Sequence, residues 1–118
     1  MVLLKATKVY TLLRQSAHKI VGYYFLVVYL PDNCLSCSMA GITVSSKVGK
    51  AVNRNKIKRR IKSVLRSSNL ADPEEKFMCN IIALKTSAEA DYSALRNDLE
   101  FCLRKIHLKL ASSIQRME

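Results

Sequence analysis

Lys47-Val48-Gly49-Lys50-Ala51-Val52-Asn53-Arg54-Asn55-Lys56-Ile57-Lys58-Arg59-Arg60-Ile61-Lys62 is the stretch from which the rest of this 118-residue chain can be understood. Ile57, Ile61, Val64 and Leu65 recur at i, i+4, i+7 and i+8, the spacing of one face of an α-helix running from about Lys50 to Ser67. Turning that helix by about 100° per residue puts Asn55, Lys56, Arg59, Lys62 and Arg66 opposite the apolar stripe, with Lys58 and Arg60 flanking it. One face is built to pack and the other to meet an anion. Arg54 falls near Ile57 and Ile61 on an ideal helix, which leaves two readings open. It is either a fork to phosphate or a bridge that pins the preceding loop through backbone carbonyls. Asn55 alone would be an ordinary surface residue, and Gly49 serves either as a plain turn or as an opening through which a phosphate approaches the helix start.

The composition agrees with that helix. Twenty Lys and Arg oppose nine Asp and Glu, a formal net charge of +11, and nine of the twenty basic residues lie between Lys47 and Arg66. No acid occurs between Asp32 and Asp72. A charge concentrated in this way points to a polyanionic partner, nucleic acid first. With 49% apolar residues, three Gly and two Pro, the chain can bury a core and is not a disordered basic tail. Its length fits one domain over residues 1–118, with an ordered core over about 7–110.

The start of the chain, Met1 to Lys5, does not resemble a signal peptide, and the apolar run Ile20 to Leu30 is too short to cross a bilayer as a helix. It is expected instead to be a buried strand. A cytoplasmic protein with reduced thiols and no membrane partner is the expectation. Cys34 and Cys37 form a Cys-x-x-Cys pair, but no second pair with metal-ligand spacing follows, and the pair falls in a loop rather than at a helix start. No metal site is therefore expected.

Working outward, Thr7 can cap a short helix from Lys8 to about Ser16, with Val9, Leu12 and Leu13 as its stripe and Tyr10 pointing away from it. A strand is expected over Tyr23 to Leu30, stopped by Pro31-Asp32-Asn33, and a second over Met39 to Ser45, with Ile42 and Val44 on one face and Thr43 on the other. The two are expected to pair as a hairpin. After the basic helix and a polar connection over Ser67 to Glu75, a third strand spans Phe77 to Leu84 with Asn80 in its middle. Asp91 can cap a final helix whose stripe is Tyr92, Leu95, Leu99, Cys102, Leu103, Ile106 and Leu110. The order α-β-β-α-β-α places the chain in the α+β class, a small sheet covered by helices.

Ser45 followed by the stretch from Lys47 to Lys62 resembles the Arg-Asn-Arg motif region of the bacterial ribonuclease P protein family, in which a strand leads through a Gly turn into an Ala-Val, Arg-Asn, Lys-Arg helix. The resemblance extends from about Tyr10 to Leu110. It implies the same α-β-β-α-β-α order, with an unusual left-handed crossover. It also implies the role of RNA-binding subunit: the ribonuclease P RNA performs Mg²⁺-dependent hydrolysis that releases the 5′ leader of precursor tRNA. Carried over by position, Lys47, Lys50, Arg54, Asn55, Lys56, Lys58, Arg59, Arg60 and Lys62 would contact the catalytic RNA, and Arg66 continues their row. A cleft between the first helix and the sheet would hold the leader. Tyr10 stands where the family has an aromatic, the aromatic position four residues on is Arg14, and the first Lys of the family's Ser-Lys-Lys is Ser46. Tyr23, Tyr24 and Phe25 are candidates to supply the missing faces from the adjoining strand.

The chain offers no nucleophile and base at a convincing spacing: His18 and His107 stand alone, and Glu74-Glu75 and Asp98 with Glu100 read as solvated residues rather than Mg²⁺ ligands. No catalytic residue and no cofactor bound by the protein alone are expected, the Mg²⁺ belonging to the RNA holoenzyme. Two other classes share the charge. A basic ribosomal or nucleoid module does not need the Arg-Asn pattern. A membrane-surface or calmodulin-type helix needs an apolar face that this domain requires for its own core.

Overall fold

Residues 2–3, 18–31, 39–67 and 77–117 are described by the computed structural model. Most of the basic stretch lies in α1, Ala51–Ser67, whose Ile57, Ile61 and Val64 are each no more than 4% exposed. Its regular spacing of apolar residues and lack of interior Gly or Pro favour the helix, and packing of the stripe stabilises it. Before it, Ser46–Val48 makes one turn of 3-10 helix that ends at Gly49, where φ is +145°. That backbone conformation suits glycine and strains any L side chain, so Gly49 is a structural requirement of the approach to α1.

The strands are β1 (Val2–Leu3), β2 (His18–Val21), β3 (Phe25–Pro31), β4 (Met39–Val44) and β5 (Phe77–Ala83). They form one sheet in the order β1-β4-β5-β3-β2, in which β5 runs parallel to β4 and antiparallel to β3. This overturns the expected hairpin between β3 and β4, because β5 lies between them. The seventeen residues of α1 supply the long crossover that two parallel strands need, and β5 is the segment best suited to the centre. Phe77, Met78, Cys79, Asn80 and Ile81 are all buried, so both faces of β5 are covered.

A second difference lies in the run from Ile20 to Leu30, expected as one strand. It folds as two antiparallel strands, β2 and β3, joined by a turn at 22–24, with Val21 opposite Leu26. Gly22 makes the turn possible: a Cβ there would stand 2.7 Å from both an Asp98 carboxylate oxygen and the Cys102 sulfur. Uniform apolarity conceals the break, because neither strand alternates in polarity.

The final helix, α2 (Tyr92–Met117), is capped as expected: the Asp91 carboxylate accepts a hydrogen bond from the Ala94 N–H at 2.8 Å. It extends beyond Leu110, the last residue of the apolar stripe. Leu95, Leu99, Cys102, Leu103, Ile106 and Leu110 are buried as one stripe. They share a core with the α1 stripe and with Ile20, Phe25, Val27, Tyr29, Cys79 and Ile81 of the sheet. Both helices thus cover the same sheet face. On the other face, the Thr43 hydroxyl donates to the buried Asn80 side chain at 3.1 Å. Among the described residues no helix is long and apolar enough to cross a membrane. The expected helix from Lys8 to Ser16, with Tyr10 and Arg14, and the Cys34–Cys37 pair lie outside the described residues.

Candidate nucleic-acid interface

Because α1 presses one stripe into the core, its other side is fixed in direction. Lys47, Lys50, Asn55, Lys56, Arg59, Lys62 and Arg66 are exposed, and Lys58 and Arg60 are half-buried at the flanks. The helical wheel drawn from sequence therefore places each of these α1 residues correctly. None of Lys47, Lys50, Lys56, Lys58, Arg59, Lys62 and Arg66 is ion-paired among the described residues, where the recorded salt bridge is Arg96 with Glu100 on α2. With no acid on α1 or in the loop before it, these cations remain available to phosphates.

Two of the arginines differ from the row. The Arg60 guanidinium donates to the Ala90 carbonyl at 3.1 Å, tying α1 to the segment that leads into α2. Arg54 is half-buried, and its Nε is buried without a hydrogen-bond partner. The carbonyl bridge left open for Arg54 by the sequence is the role that Arg60 plays.

Two open clefts lie on the cationic side of α1, and the second reaches the start of α2. One, of about 480 Å³, is lined by Arg59, Lys62, Ser63 and Arg66; the other, of about 330 Å³, by Lys56, Arg59, Arg60, Ser63 and Tyr92. The Ser63 and Tyr92 hydroxyls, both lining the second cleft, lie 3.1 Å apart. Sequence reading misses these two, since Tyr92 reads as part of the core stripe. Only the contact between two helices, invisible in either helix alone, brings its hydroxyl to the cationic face. Val52, 77% exposed, adds an apolar spot at the start of α1.

The aromatic candidates of the β2–β3 region separate. Phe25 is fully buried in the core, so its expected place at a leader site is corrected: no face of its ring is open to a base. The alternation of β3 decides this, since Phe25, Val27 and Tyr29 all point to the helices. Tyr24 is half-buried against the core, whereas Tyr23 is 73% exposed; neither lies on a strand. The backbone N–H groups of both donate to the Asp98 carboxylate at 2.8 Å, and the Thr86 hydroxyl donates to the Tyr23 carbonyl at 3.0 Å.

The remaining chemistry is structural. Burial pushes the Cys79 thiol up to about 12, and burial together with the Asp98 charge does the same for Cys102, so both are neutral and poor nucleophiles near pH 7. His18 packs against Tyr29 and His107 edge-on against Phe77. Among the described residues no three metal-ligating side chains converge.

The Ribonuclease P family profile matches residues 2–107. The ribonuclease P protein component of a Thermus thermophilus strain is 42% identical over 84 residues, 71% of this chain and 47% of that protein, so the aligned stretch spans about half of that relative's length. The corresponding protein of Caldanaerobacter subterraneus subsp. tengcongensis is 34% identical over 90 residues, 76% of this chain and 77% of that protein. In fold, the chain resembles the Staphylococcus aureus RNase P protein, with a TM-score of 0.76 at 24% identity over 90% of this chain and 95% of that one. The Thermotoga maritima RNase P protein gives 0.73 at 23% identity over 88% and 97%. A cationic helix face set by a buried stripe, a sheet of matching fold and a profile spanning most of the sequence together place this chain in the ribonuclease P protein component family.

Proposed function

We propose that this chain is the RNA-binding protein subunit of ribonuclease P, which binds the catalytic RNA through α1 and assists Mg²⁺-dependent removal of the 5′ leader from precursor tRNA. The observation that carries the reading is the acid-free exposed row Lys56, Arg59, Lys62 and Arg66, with Lys47, Lys50 and Asn55 extending it toward the amino end of α1. Lys58, Arg60 and Arg54 border the row, and the Arg54 Nε is buried beneath it. Successive cations along α1 are three or four residues apart, about 4.5 to 6 Å of helix rise, which suits a ladder of phosphates better than a single small anion.

In this reading the protein does no bond chemistry. The Mg²⁺ is held by RNA and supplies the hydrolytic chemistry there. The side chains of α1 offset the repulsion between two polyanions, which raises the affinity for precursor and, indirectly, for Mg²⁺. The leader is assigned to Tyr10 and Arg14 with Tyr23, and a stacked base is worth about 1 to 3 kcal/mol.

The test is cleavage of precursor tRNA by the ribonuclease P RNA of the same genome, with and without the chain, at physiological salt. The expected result is a lower KM and a lower Mg²⁺ requirement when the protein is present. A holoenzyme that matched the bare RNA in both would contradict the assignment and leave a general basic nucleic-acid-binding module as the better reading.

A further inference from the structure

We propose that the cleft where α1 meets the start of α2 is a ribose-phosphate site for the catalytic RNA, in which the paired hydroxyls of Ser63 and Tyr92 accept a hydrogen bond from one 2′-hydroxyl group. This deepens the reading that α1 binds the ribonuclease P RNA, and rests on it.

The cleft, of about 330 Å³, is lined by Lys56, Arg59, Arg60, Ser63 and Tyr92, with no acid among these residues. It continues the cationic row, because Arg59 and Ser63 also line the neighbouring cleft. Lys56 and Arg59 are exposed on adjacent turns of α1, where both can meet one phosphate. From Lys56 to Ser63 the helix rises about 10 Å, which leaves room for that phosphate and the sugar beside it.

The two hydroxyls supply what the cations lack. Lysine and arginine only donate, so a row of them meets phosphates and is blind to the sugar. Ser63 Oγ and Tyr92 Oη lie 3.1 Å apart, within hydrogen-bond distance. Whichever of the two donates to the other, the Tyr92 oxygen keeps a lone pair for an incoming donor. A ribose 2′-hydroxyl beside a bound phosphate is such a donor, and deoxyribose offers none. The cleft therefore distinguishes RNA from DNA, which the charge of α1 alone does not.

The acceptor is in place before any RNA arrives. The Tyr92 ring packs against the shared core while its hydroxyl meets Ser63 at the cleft. The Arg60 guanidinium, donating to the Ala90 carbonyl at 3.1 Å, holds α1 against the chain two residues before Tyr92. Little freedom is left to lose on binding. Asp91, next to Tyr92 in the sequence, does not line the cleft, and its carboxylate accepts from the Ala94 N–H at the start of α2.

The experiment binds the full chain to the ribonuclease P RNA of its genome, transcribed with scattered, phosphorothioate-tagged 2′-deoxynucleotides. A pool with the same tags on ribonucleotides is the control. For the wild type, a 2′-deoxy substitution at one nucleotide is expected to deplete the bound fraction by about 2- to 12-fold. Ser63→Ala with Tyr92→Phe, which keeps the ring and the charges, is expected to lose that discrimination. It should bind the all-ribose RNA about 2- to 12-fold more weakly with an unchanged log-log salt slope, because no charge has been removed. Identical interference maps for the two proteins, with the double variant folded, would overturn the sugar contact and leave the proposed function standing. In that case the hydroxyl pair is only a tie between the helices, read as a lower thermal midpoint at unchanged affinity. Failure of the wild-type protein to bind the RNA at all would instead remove the reading beneath the proposal.

Discussion

The two helices α1 and α2 bury the same kind of stripe in the same core, and their outer faces are unlike. Ile57, Ile61 and Val64 on one and Leu95, Leu99, Cys102 and Ile106 on the other are interchangeable in type. Outside, α1 presents the exposed cations Lys56, Arg59, Lys62 and Arg66 and no acid, while α2 mixes signs and pairs Arg96 with Glu100. Inner faces are set by packing, which many sequences satisfy; an outer face that departs from a mixed-charge surface records what the protein meets. The difference between the helices, rather than either one alone, is what supports placing the proposed interface on α1.

The comparison makes stability and RNA binding separable. The largest effect belongs to the inner face: Ile61→Ala, at a site 1% exposed, is expected to cost about 2 to 5 kcal/mol in urea unfolding, by lost burial plus a cavity. Next comes a pH effect in the shared core. The Cys79 thiol is neutral in the fold up to about 12, whereas in the unfolded chain it ionises near 8.5, so deprotonation above that point favours unfolding. The stabilising difference is fully present below about pH 8.5 and is lost progressively up to about 12. Between about pH 8 and 10 the wild-type protein is expected to lose about 2 kcal/mol more stability than Cys79→Ala does, and parallel urea midpoints would contradict the burial argument.

Smaller effects probe the boundary between the faces. Asp91→Ala removes the α2 cap and is expected to cost about 1 kcal/mol with no change in RNA affinity. Arg60→Ala loses the bond to the Ala90 carbonyl, also about 1 kcal/mol, and weakens RNA binding too. Arg59→Ala, one residue earlier, is expected to leave stability within about 0.5 kcal/mol. If Arg59 and Arg60 proved equal in thermal unfolding, the division of labour between them would be wrong.

These residues also mark what sequence could disclose. The face of α1 was legible because a 3.6-residue period fixes which side chains are buried and, by exclusion, which are not. The cap at Asp91 and the α2 stripe were legible for the same local reason. The neighbours of β5 were not, since strand order depends on a crossover whose length alone does not name its partners, and β3 and β4 looked like a hairpin by sequence proximity. The turn at Gly22 was hidden inside a run apolar on both faces, and its cause, Asp98, lies 76 residues away in the sequence. Arg60 and Tyr92 took their roles from a contact between helices, which no single helical pattern contains.

The RNA-facing role of α1 is tested most directly by the salt dependence of binding between the protein and the ribonuclease P RNA, for the wild type and for Arg59→Ala with Lys62→Ala. The double variant is expected to bind more weakly, with a log-log salt slope flattened by about 1.4 to 1.8, one increment for each phosphate contact removed, at unchanged thermal stability. A slope identical to the wild type's in a folded double variant would place the RNA elsewhere and contradict the assignment of the α1 face.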